Sequence, residues 1–376
     1  MPSAHIVRAS QIVASPRVLQ LQGMFDVPPS ERSELTWDVA LPLDERPWSI
    51  GLIVGPSGCG KSTIARELFG DHVVGGHEWP EDRSLLDAFP EGISIKEIAL
   101  LLSSVGFSSP PSWLRPFRVL SNGEQFRASI ARTLAENPEL SVIDEFTSVV
   151  DRTVAQIGSA AVAKTVRRRG ARFIAVSCHY DIQDWLDPDW VYEPAVNKFS
   201  WRSLQGRPPI SLTIARVPAS SWAMFKKHHY LSADLHRTAT CFVAFLGDRP
   251  AAFHAYLNFV GKLVDARPAM RVHRSVCLPD FQGVGIGNAV SDYLASMWAG
   301  LGYRVFLNSG HPAVIAGAIR SRDWLCVTAP KHRPGDGGKF AARRKSSRSV
   351  LRFTASFEYR GASMARCDAL KLLGRA

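Results

Sequence analysis

Apolar residues in the first half of the chain fall into short runs that are separated by polar stretches. Three runs have the length and composition of buried strands, namely 50–54, 140–143 and 173–178. Three other stretches carry apolar residues at helical spacing, namely 64–69, 95–104 and 125–136. Buried strands that alternate with helices predict an α/β domain, which we place at 1–205.

The pattern ahead of residue 50 is less regular. Two short apolar segments, 11–14 and 17–22, are predicted to form strands. Phe25, Trp37 and Trp48 also precede the first buried run. We expect these aromatic residues in the core, with stacking on an adenine ring as the alternative for one of them.

The second half of the chain has a different pattern. Its Gly and Pro content marks 206–211 as a linker. Beyond it, six stretches are predicted to be strands, namely 212–216, 239–246, 251–256, 272–278, 304–308 and 351–359. Predicted helices are 220–231, a long one that follows Gly287 to about residue 298, and one that begins at His311 and Pro312. This order of elements predicts an α+β domain at 212–376.

The segment between the first buried strand and its helix has the spacing G-x-x-x-x-G-K-[ST] of a P-loop. Its residues are Gly55, Pro56, Ser57, Gly58, Cys59, Gly60, Lys61, Ser62 and Thr63. Its glycines let backbone N–H groups turn toward phosphate at a helix N-terminus. Lys61 can reach the β- and γ-phosphates of a nucleotide, and Ser62 can hold Mg²⁺. The motif predicts a nucleotide site, whereas a glycine-rich turn that binds nothing is the alternative.

Two further motifs follow in the first half. Leu120–Arg127 opens a helix with Ser121 and Gly123, and a Ser at a helix N-terminus is a second place for an anion. Leu140–Glu145 is an apolar strand that ends in two carboxylates. Asp144 suits Mg²⁺ coordination, and Glu145 is placed to activate the water that attacks a γ-phosphate.

The order of these motifs resembles the ATP-binding cassette (ABC) ATPase superfamily. The matching segments are Gly55–Thr63 with Walker A, Leu120–Gln125 with the LSGGQ signature, Leu140–Glu145 with Walker B, Thr147–Asp151 with the D-loop, and His179 with the switch histidine. The resemblance implies ATP and Mg²⁺ as cofactors, Glu145 and His179 as catalytic residues, and Asp151 as a nucleotide-site residue. It also implies an ATP-dependent homodimer, in which Ser121 and Gly123 of one copy face Walker A of the other.

Two positions depart from the family pattern. Asn122 stands where the signature usually has Gly, and no Gln occurs between Lys61 and Ser121, where the family has its Q-loop glutamine. That glutamine couples the nucleotide site to transmembrane partners. The sequence therefore favours a soluble ABC-type ATPase over a transporter subunit, with His77, Glu78 or Asp82 as candidate substitutes near the metal.

A second glycine-rich turn lies between the strand 272–278 and the long helix. The spacing permits a Rossmann dinucleotide site, but the next strand ends in Asn308 and lacks the required acid. The pattern Q-x-x-G-x-G after a V-x-L-P strand resembles the acyl-CoA loop of the GNAT acetyltransferase superfamily. This resemblance implies an acyl-CoA site, most often for acetyl-CoA, formed by Val276, Leu278, Gln282, Gly283, Val284, Gly285, Ile286 and Gly287. The alternative is an α+β domain in which these glycines only form a turn.

An acyl transfer to an amine needs a group that takes the amine proton. Six residues are candidates, namely His228, His229, Tyr230, His254, Tyr256 and Asn308. The cluster His228, His229 and Tyr230 is our first choice.

Charge is the next observation that changes the picture. The chain has 376 residues and a net charge of +11, and 331–376 holds twelve Lys or Arg against three Asp or Glu. The basic loop 329–348, which includes Phe340, therefore predicts contact with DNA or RNA. A solvated basic tail is the alternative.

Composition also excludes some classes of protein. No apolar run reaches the length of a membrane span, the first residues lack the order of a signal peptide, and the six cysteines are scattered. These features predict a cytoplasmic protein without a membrane partner.

The leading hypothesis is an ATP-regulated, acyl-CoA-dependent acyltransferase that modifies a nucleic-acid base or a nucleotide-like amine. One alternative is a DNA- or RNA-binding ABC-type ATPase, in which the GNAT-like domain is only a binding module. Another alternative is an N-acetyltransferase of a protein or a small amine.

Overall fold

The computed structural model describes residues 2–28, 30–203, 206–229, 234–259, 267–332 and 353–374. The strands within these ranges are β1 Ser3–Gln11, β2 Arg32–Ala40, β3 Ile50–Val54, β4 Val73–Val74, β5 Leu140–Ile143, β6 Arg172–Ser177, β7 Trp190–Glu193, β8 Lys198–Trp201, β9 Thr213–Val217, β10 Thr240–Leu246, β11 Arg249–Asn258, β12 Ala269–Cys277, β13 Arg304–Ser309, β14 Trp324–His332 and β15 Phe353–Tyr359.

The α-helices of the same ranges vary from one turn to five. They are α1 Pro16–Phe25, α2 Lys61–Phe69, α3 Ile95–Ser104, α4 Pro110–Trp113, α5 Asn122–Glu136, α6 Arg152–Arg169, α7 Gln183–Leu186, α8 Trp222–Phe225, α9 Ile286–Gly300, α10 Pro312–Arg320 and α11 Arg366–Leu372. No helix in the described ranges combines the length and the apolar character that crossing a bilayer requires.

The chain forms two compact units, each assembled from three segments. The first unit comprises Met1–His77, Asn137–Val149 and Ala163–Arg207. The second comprises Glu78–Glu136, Val150–Val162 and Pro208–Ala376. The signature motif thus belongs to the same unit as the C-terminal half, an association that the sequence pattern did not indicate. The boundaries predicted at 205 and 211 stay a prediction, because compactness does not show which segments fold alone.

The first unit is built around a six-stranded sheet in the order β4-β5-β6-β3-β7-β8. All neighbouring strands are parallel except β7 and β8. All five residues of β3 are buried, which explains its uninterrupted apolar sequence. The predicted α/β fold is therefore confirmed for the nucleotide-binding part of the chain. This sheet places the ends of β3, β5 and β6, which carry the three predicted site motifs, along one edge.

The segment 17–22 is not a strand, so that prediction was wrong. It lies in α1, because Ser15 caps the helix by accepting a hydrogen bond from the Val18 N–H and Pro16 occupies the first helical position. A local cap thus outweighs the apolar pattern. Phe25 at the end of α1 is 69% exposed, which also contradicts its predicted place in the core. Trp37 and Trp48, in contrast, pack against the core of this unit.

The second unit contains α3, α4, α5 and a seven-stranded sheet in the order β14-β15-β13-β12-β11-β10-β9. Its strands pair antiparallel except β12 with β13, which are parallel. In the described residues, β12 and β13 pair over three positions only, from Ala269 opposite Arg304 to Arg271 opposite Phe306. The two strands therefore separate toward the end of β12. One buried cluster lies on the α9 side of the sheet, and a second lies under α8.

The predicted elements of this unit agree with the structure in their order. The hairpin of β10 and β11 turns at Gly247 and Asp248, and β12, α9, β13, α10 and β15 follow as expected. The predicted helix 220–231 is shorter, since α8 ends at Phe225 and gives way to a turn of 3-10 helix. Strand β14 and helix α11 were missed. The predicted basic loop 329–348 does not begin as a loop, because 329–332 form the end of strand β14. The rest of it, 333–348 with Phe340, lies outside the described residues.

Candidate functional site

The P-loop connects the buried strand β3 to helix α2. Gly58 and Gly60 have φ angles of 81° and 92°, a region that other residues rarely adopt. Gly60 immediately precedes α2 and turns the backbone into the helix. Lys61 is 8% exposed, and its Nζ donates to the carbonyl of Pro56 at 2.8 Å. The loop therefore has the backbone shape and the cation that a phosphate site requires.

Trp37 lies directly against this loop. Its Nε1 donates to the carbonyl of Cys59 at 3.1 Å, and a Cβ atom at Gly60 would lie 2.5 Å from its ring. Gly60 is therefore required both for its φ angle and for the approach of the indole. The core position expected for Trp37 is only part of its role, because the ring also supports the phosphate loop. The alternative of adenine stacking stays a prediction.

Two oxygen groups meet at the end of the P-loop. Ser62 Oγ donates to Asp144 Oδ1 at 3.0 Å, although the residues are far apart in sequence. Asp144 is largely buried, and Arg66 Nη2 lies 3.6 Å from its second oxygen. A hydroxyl and a carboxylate oxygen are ligands that Mg²⁺ prefers. The donor set thus fits the ion that the motifs imply, with Ser62 and Asp144 as the residues that would hold it.

Glu145 follows Asp144 at the end of β5 and has an unusual backbone. Its φ is 54°, and that of Thr147 is 71°. Non-glycine residues with positive φ are uncommon and cluster at functional positions. The Glu145 carboxylate is exposed and accepts from Ser148 Oγ at 2.6 Å. The turn therefore directs this carboxylate to solvent, where an attacking water would be.

His179 lies just after β6 in the same unit. Its N–H donates to Ser177 Oγ at 3.1 Å, and Ser177 in turn donates to the carbonyl of Phe146 at 3.0 Å. These bonds tie the segment after β6 to the segment after β5. The structure thus brings the three motifs of the first unit, at Ser62, Asp144 and His179, to neighbouring strand ends.

The signature residues belong to the second unit. Ser121 and Glu124 form reciprocal bonds at the start of α5, with Ser121 N–H to Glu124 Oε2 at 3.0 Å and Glu124 N–H to Ser121 Oγ at 3.4 Å. This capping box holds the helix start in place. Helix α5 begins at Asn122, so Asn in place of Gly is accommodated as an ordinary helical residue. Asp151 caps α6 by accepting from Thr153 N–H at 3.0 Å.

The second glycine-rich turn follows β12. Gly283 and Gly285 have φ angles of 93° and 104°, and Gly285 caps α9. The Gln282 side chain is engaged on both sides. It donates to the carbonyl of Cys277 at 2.7 Å and accepts from the N–H of Ser108 at 2.6 Å. The turn thus resembles the P-loop in backbone, but its Gln282 side chain is committed to internal bonds.

The other predicted acyl-CoA residues differ in accessibility. The Val276 side chain is buried in the cluster under α8, and Ile286 is buried in the α9 cluster. Leu278 and Val284 are partly buried against the same core. A ligand at this turn would therefore meet mainly backbone groups. Beyond Arg271, β12 has no pairing with β13 in the described strands. The backbone N–H and C=O groups on that side of β12 therefore lack a partner in β13.

The predicted proton-handling residues are not gathered in one place. His228 is partly buried, and desolvation together with Lys227 lowers its pKa, while the carboxylates of Glu124 and Asp280 act in the opposite direction. His229 packs its ring against Trp222 with centroids 5.6 Å apart. Tyr230 lies outside the described residues.

The remaining three candidates lie on two different strands. His254 and Tyr256 are fully buried in β11, and Asn308 is an exposed residue of β13. Burial lowers the pKa of His254 to about 4, and its Nε2 lies 3.4 Å from Ser275 Oγ. A neutral, enclosed imidazole of this kind is typical of a core histidine.

Sequence reasoning missed Arg127, which lies one turn after the signature. It is completely buried, and its Nη1 donates to the Gly123 carbonyl at 3.2 Å. Its complete burial is the unusual feature, because an arginine is almost never fully buried unless it is paired. Nothing in its sequence position indicated this burial.

Comparisons with known proteins agree with the motifs of the first half. The Fe(3+) ions import ATP-binding protein FbpC 3 of Rhodococcus jostii (strain RHA1) is 31% identical over 138 residues, which cover 28% of this chain and 40% of that protein. The aliphatic sulfonates import ATP-binding protein SsuB 1 of Streptomyces avermitilis is 29% identical over 164 residues, covering 38% of this chain and 61% of that protein. The chain thus spans less than two thirds of these relatives. No protein-family model matches it.

Two solved structures overlap part of this chain at low similarity. One is the dimeric post-hydrolysis state of the ATP-binding cassette MJ0796 bound to ADP and Pi, with 13% identity, a TM-score of 0.38, and coverage of 54% of this chain and 98% of that chain. Another is cbiO1 from Clostridium perfringens, part of the ABC transporter complex cbiONQ, with 16% identity, a TM-score of 0.34, and coverage of 43% and 77%. On the motifs and the sequence relatives, the chain contains an ABC-type nucleotide-binding region.

Proposed function

We propose that this protein binds and hydrolyses ATP, and that two copies pair head to tail around two ATP molecules. The observation that carries the proposal is the contact of Ser62 with Asp144 at 3.0 Å, directly beside the P-loop. It joins the two residues that would hold Mg²⁺ to the loop that would hold the phosphates. The similarity to import ATP-binding proteins supports the same activity.

Each residue of the first unit has a distinct task in this reaction. The loop amides and Lys61 would bind and orient the β- and γ-phosphates. Mg²⁺, when bound, would stabilise the negative charge that develops on the phosphate oxygens. Glu145 would accept a proton from the attacking water, and its exposed carboxylate has room for that water. His179 would contact the γ-phosphate from the adjacent strand end.

The second unit would complete the site of the opposite copy. Ser121 and Gly123 lie at the start of α5, where backbone N–H groups of the first helical turn lack intrahelical partners. These groups favour an anion such as a γ-phosphate. One chain has a single signature and a single P-loop, so the arrangement requires a pair of chains.

Replacement of Glu145 by Gln tests this proposal. The variant should retain ATP binding and lose hydrolysis by about 10²–10⁴-fold, the usual contribution of a general base. Because ATP then stays bound, the variant should sediment as a dimer with ATP and Mg²⁺ and as a monomer without them. Glu139→Gln, which changes an exposed carboxylate just before β5, is the matched control. A monomeric Glu145→Gln variant at saturating ATP would contradict the paired arrangement.

A second candidate function is acyl transfer from acyl-CoA, with acetyl-CoA as the first donor to test. The divergence of β12 and β13 after Arg271 favours it, because the backbone groups on that side of β12 have no partner in β13 and can bond to the amides of a pantetheine arm. The N-terminus of α9 at Gly285 offers backbone N–H groups without intrahelical partners for a pyrophosphate. Gln282 would contribute through its backbone, since its side chain is already engaged.

His228 is the described residue best suited to take the amine proton. Its lowered pKa keeps the imidazole neutral, and therefore able to accept a proton, at pH 7. The acceptor would be a nucleic-acid base or a nucleotide-like amine, on the strength of the basic loop 329–348. The reaction breaks the thioester and forms an amide, with the amine proton leaving through the base and a proton returning to the CoA thiolate.

One incubation distinguishes the candidates for the second function. The protein is mixed with ATP and acetyl-CoA, in parallel with DNA, RNA, nucleosides and a lysine peptide, and each acceptor is analysed by mass spectrometry. An acetylated base supports the leading hypothesis, and an acetylated peptide supports transfer to proteins or small amines. No acetyl-CoA binding by calorimetry, combined with salt-dependent DNA binding, would favour a binding module instead. Deletion of 333–348 should weaken that DNA binding.

A further inference from the structure

The segment 106–108, which follows α3, is held by the C-terminal half of the second unit. The Ser108 N–H donates to Gln282 Oε1 at 2.6 Å, and the Ser108 carbonyl accepts from His311 Nε2 at 3.2 Å. His311 Nδ1 accepts from the Ala313 N–H, so the ring is the neutral tautomer that carries its proton on Nε2. Both backbone groups of Ser108 are thus bonded to residues more than 170 positions away.

The backbones of two glycines also meet here. A Cβ atom at Gly106 would lie 2.7 Å from the carbonyl oxygen of Gln282, and one at Gly283 would lie 2.9 Å from the Cα of Gly106. A Cβ at Gly283 would also lie 2.6 Å from the Cβ of Ala161. No side chain fits between these segments, so a shift of one displaces the other.

Arg127 connects the signature to the same place. The guanidinium is fully buried, and its Nε and Nη2 have no hydrogen-bond partner among the described residues. The carboxylates that act against this burial are Asp280, Glu124 and Asp151, of which Asp280 has the largest effect. Burial lowers its pKa to about 10, which leaves it charged at pH 7. A buried cation with unused donors can exchange partners when its surroundings move slightly.

Arg249 forms a second connection, on the other side of the turn. Its Nη1 donates to Thr153 Oγ1 at 2.6 Å, two residues after the D-loop residue Asp151. Its Nη2 lies 3.7 Å from Asp280 Oδ2, and its guanidinium lies over the Phe281 ring at 5.4 Å. Residues Pro279–Gly283, which we name the 279–283 turn, are therefore linked to the signature and to the D-loop.

We propose that the 279–283 turn couples the ATP state of the signature motif to the geometry of the β12–α9 turn, with Arg127 and Asp280 as the positioning residues. In this unit, the signature and Asp151 of the D-loop would contact ATP of the opposite copy. A Cβ atom at Gly123 of the signature would lie 3.3 Å from Arg127 Nη1 and 3.7 Å from Asp280 Oδ1. Arg249 contacts both Asp280 and Thr153, so it connects the 279–283 turn to the start of α6 beside Asp151. The proposal rests on the proposed ATP-dependent pairing. The coupling would connect the signature to the β12–α9 turn within the second unit, although no glutamine occurs between Lys61 and Ser121.

Hydrogen–deuterium exchange of the full chain carrying Glu145→Gln tests the coupling without any acyl donor. Addition of ATP and Mg²⁺ should slow exchange in 55–63 and 120–127. It should also slow exchange in 279–287 by about fivefold or more, the lower end of typical couplings between sites. The readout is the change in exchange of 279–287 on addition of ATP and Mg²⁺. A turn with a purely structural role would exchange at the same rate with and without ATP.

Two substitutions assign the coupling to the named residues. Asp280→Asn removes a half-exposed carboxylate and should abolish most of the response in 279–287 while 55–63 and 120–127 still respond. Asp368→Asn, which changes an exposed carboxylate on α11, is the matched control and should leave all three responses unchanged. Arg127→Met should behave like Asp280→Asn, and Arg127→Lys, which keeps the charge, should restore part of the response.

The outcomes separate this proposal from the proposed function. Protection of 55–63 and 120–127 with no change in 279–287 overturns the coupling and leaves ATP binding intact. No protection in 55–63 overturns the proposed function, and the coupling with it. A full response of 279–287 in both Asp280→Asn and Arg127→Met overturns the roles of these two residues.

Discussion

The two glycine-rich turns of this chain have similar backbones and different surroundings. Each follows a strand, contains two glycines with positive φ and opens a helix, at Lys61 in one turn and at Ile286 in the other. The P-loop adds Lys61, and Ser62 contacts Asp144. The second turn has no cation of its own, and its Gln282 and Gly283 pack against other parts of the second unit.

This difference shows what a glycine-rich turn can and cannot specify. The backbone makes a cradle for an anion in both cases, because N–H groups at a helix start have no intrahelical partners. The chemistry depends on what the neighbouring strands contribute. The P-loop receives the carboxylate of Asp144, which directly follows β5, whereas the second turn receives the separated edge of β12. Three experiments test this contrast, in order of decreasing expected effect.

The largest effect should come from Lys61, the cation that the second turn lacks. Lys61→Met should lower ATP hydrolysis by about 10²–10³-fold, the usual cost of removing a group that stabilises transferring phosphate charge. Steady-state phosphate release measures the effect, and Lys96→Met, at an exposed position of α3, is the control. If acyl-CoA binds at the second turn, its affinity should be the same in Lys61→Met as in the unmodified chain. Equal hydrolysis by the two variants would contradict the role of Lys61.

The next effect concerns the sheet behind the second turn, which contains the buried His254. Burial lowers the pKa of this histidine from 6.5 to about 4, so the ring is neutral in the fold. As the pH falls from 6.5 to 4, the unfolded chain takes up a proton that the folded chain does not. The free energy of unfolding should therefore be highest above pH 6.5 and should fall by up to about 3 kcal/mol by pH 4.

Hydrogen exchange of β10 and β11 peptides in urea, measured at several pH values, checks this dependence. His254→Leu removes one titrating group and should reduce the slope between pH 6.5 and 4. Part of the slope should remain, because burial also lowers the pKa of His273 on β12 to about 4. His72→Gln changes an exposed histidine of the first unit and should leave the profile as it is. An unchanged slope in His254→Leu would show that His254 does not contribute.

The smallest effect separates two neighbouring glycines of the second turn. Gly283→Ala should destabilise the turn by about 2 kcal/mol, because a positive φ and a close approach to Ala161 act together. Gly285→Ala should cost about 1 kcal/mol, because its φ is also positive but no atom lies within 4 Å of the added Cβ. Local opening free energies from exchange in 279–287 measure both. Equal costs would mean that packing does not restrain Gly283.

Turns and element ends that depend on local spacing were predicted well from the sequence. The P-loop, the helix start at Ser121 and the paired carboxylates at Asp144 and Glu145 are each defined within ten residues, and the structure places all of them at strand or helix ends. The segment 17–22 shows the limit of this approach. Its apolar pattern suited a strand, but the cap of Ser15 and Pro16 made it a helix.

The sequence by itself determined the nucleotide-binding motifs and the order of elements in the second half, because steric limits on φ and the period of apolar residues act over a few positions. Only the tertiary structure decided that Ser108 would bond to Gln282, which lies 174 residues away, and that Arg127 would be buried near Asp280. Such contacts depend on how two faces pack, and packing joins residues that no local pattern relates. The glycine turn after β12 was therefore recognisable from its sequence, whereas its attachment to the signature was not.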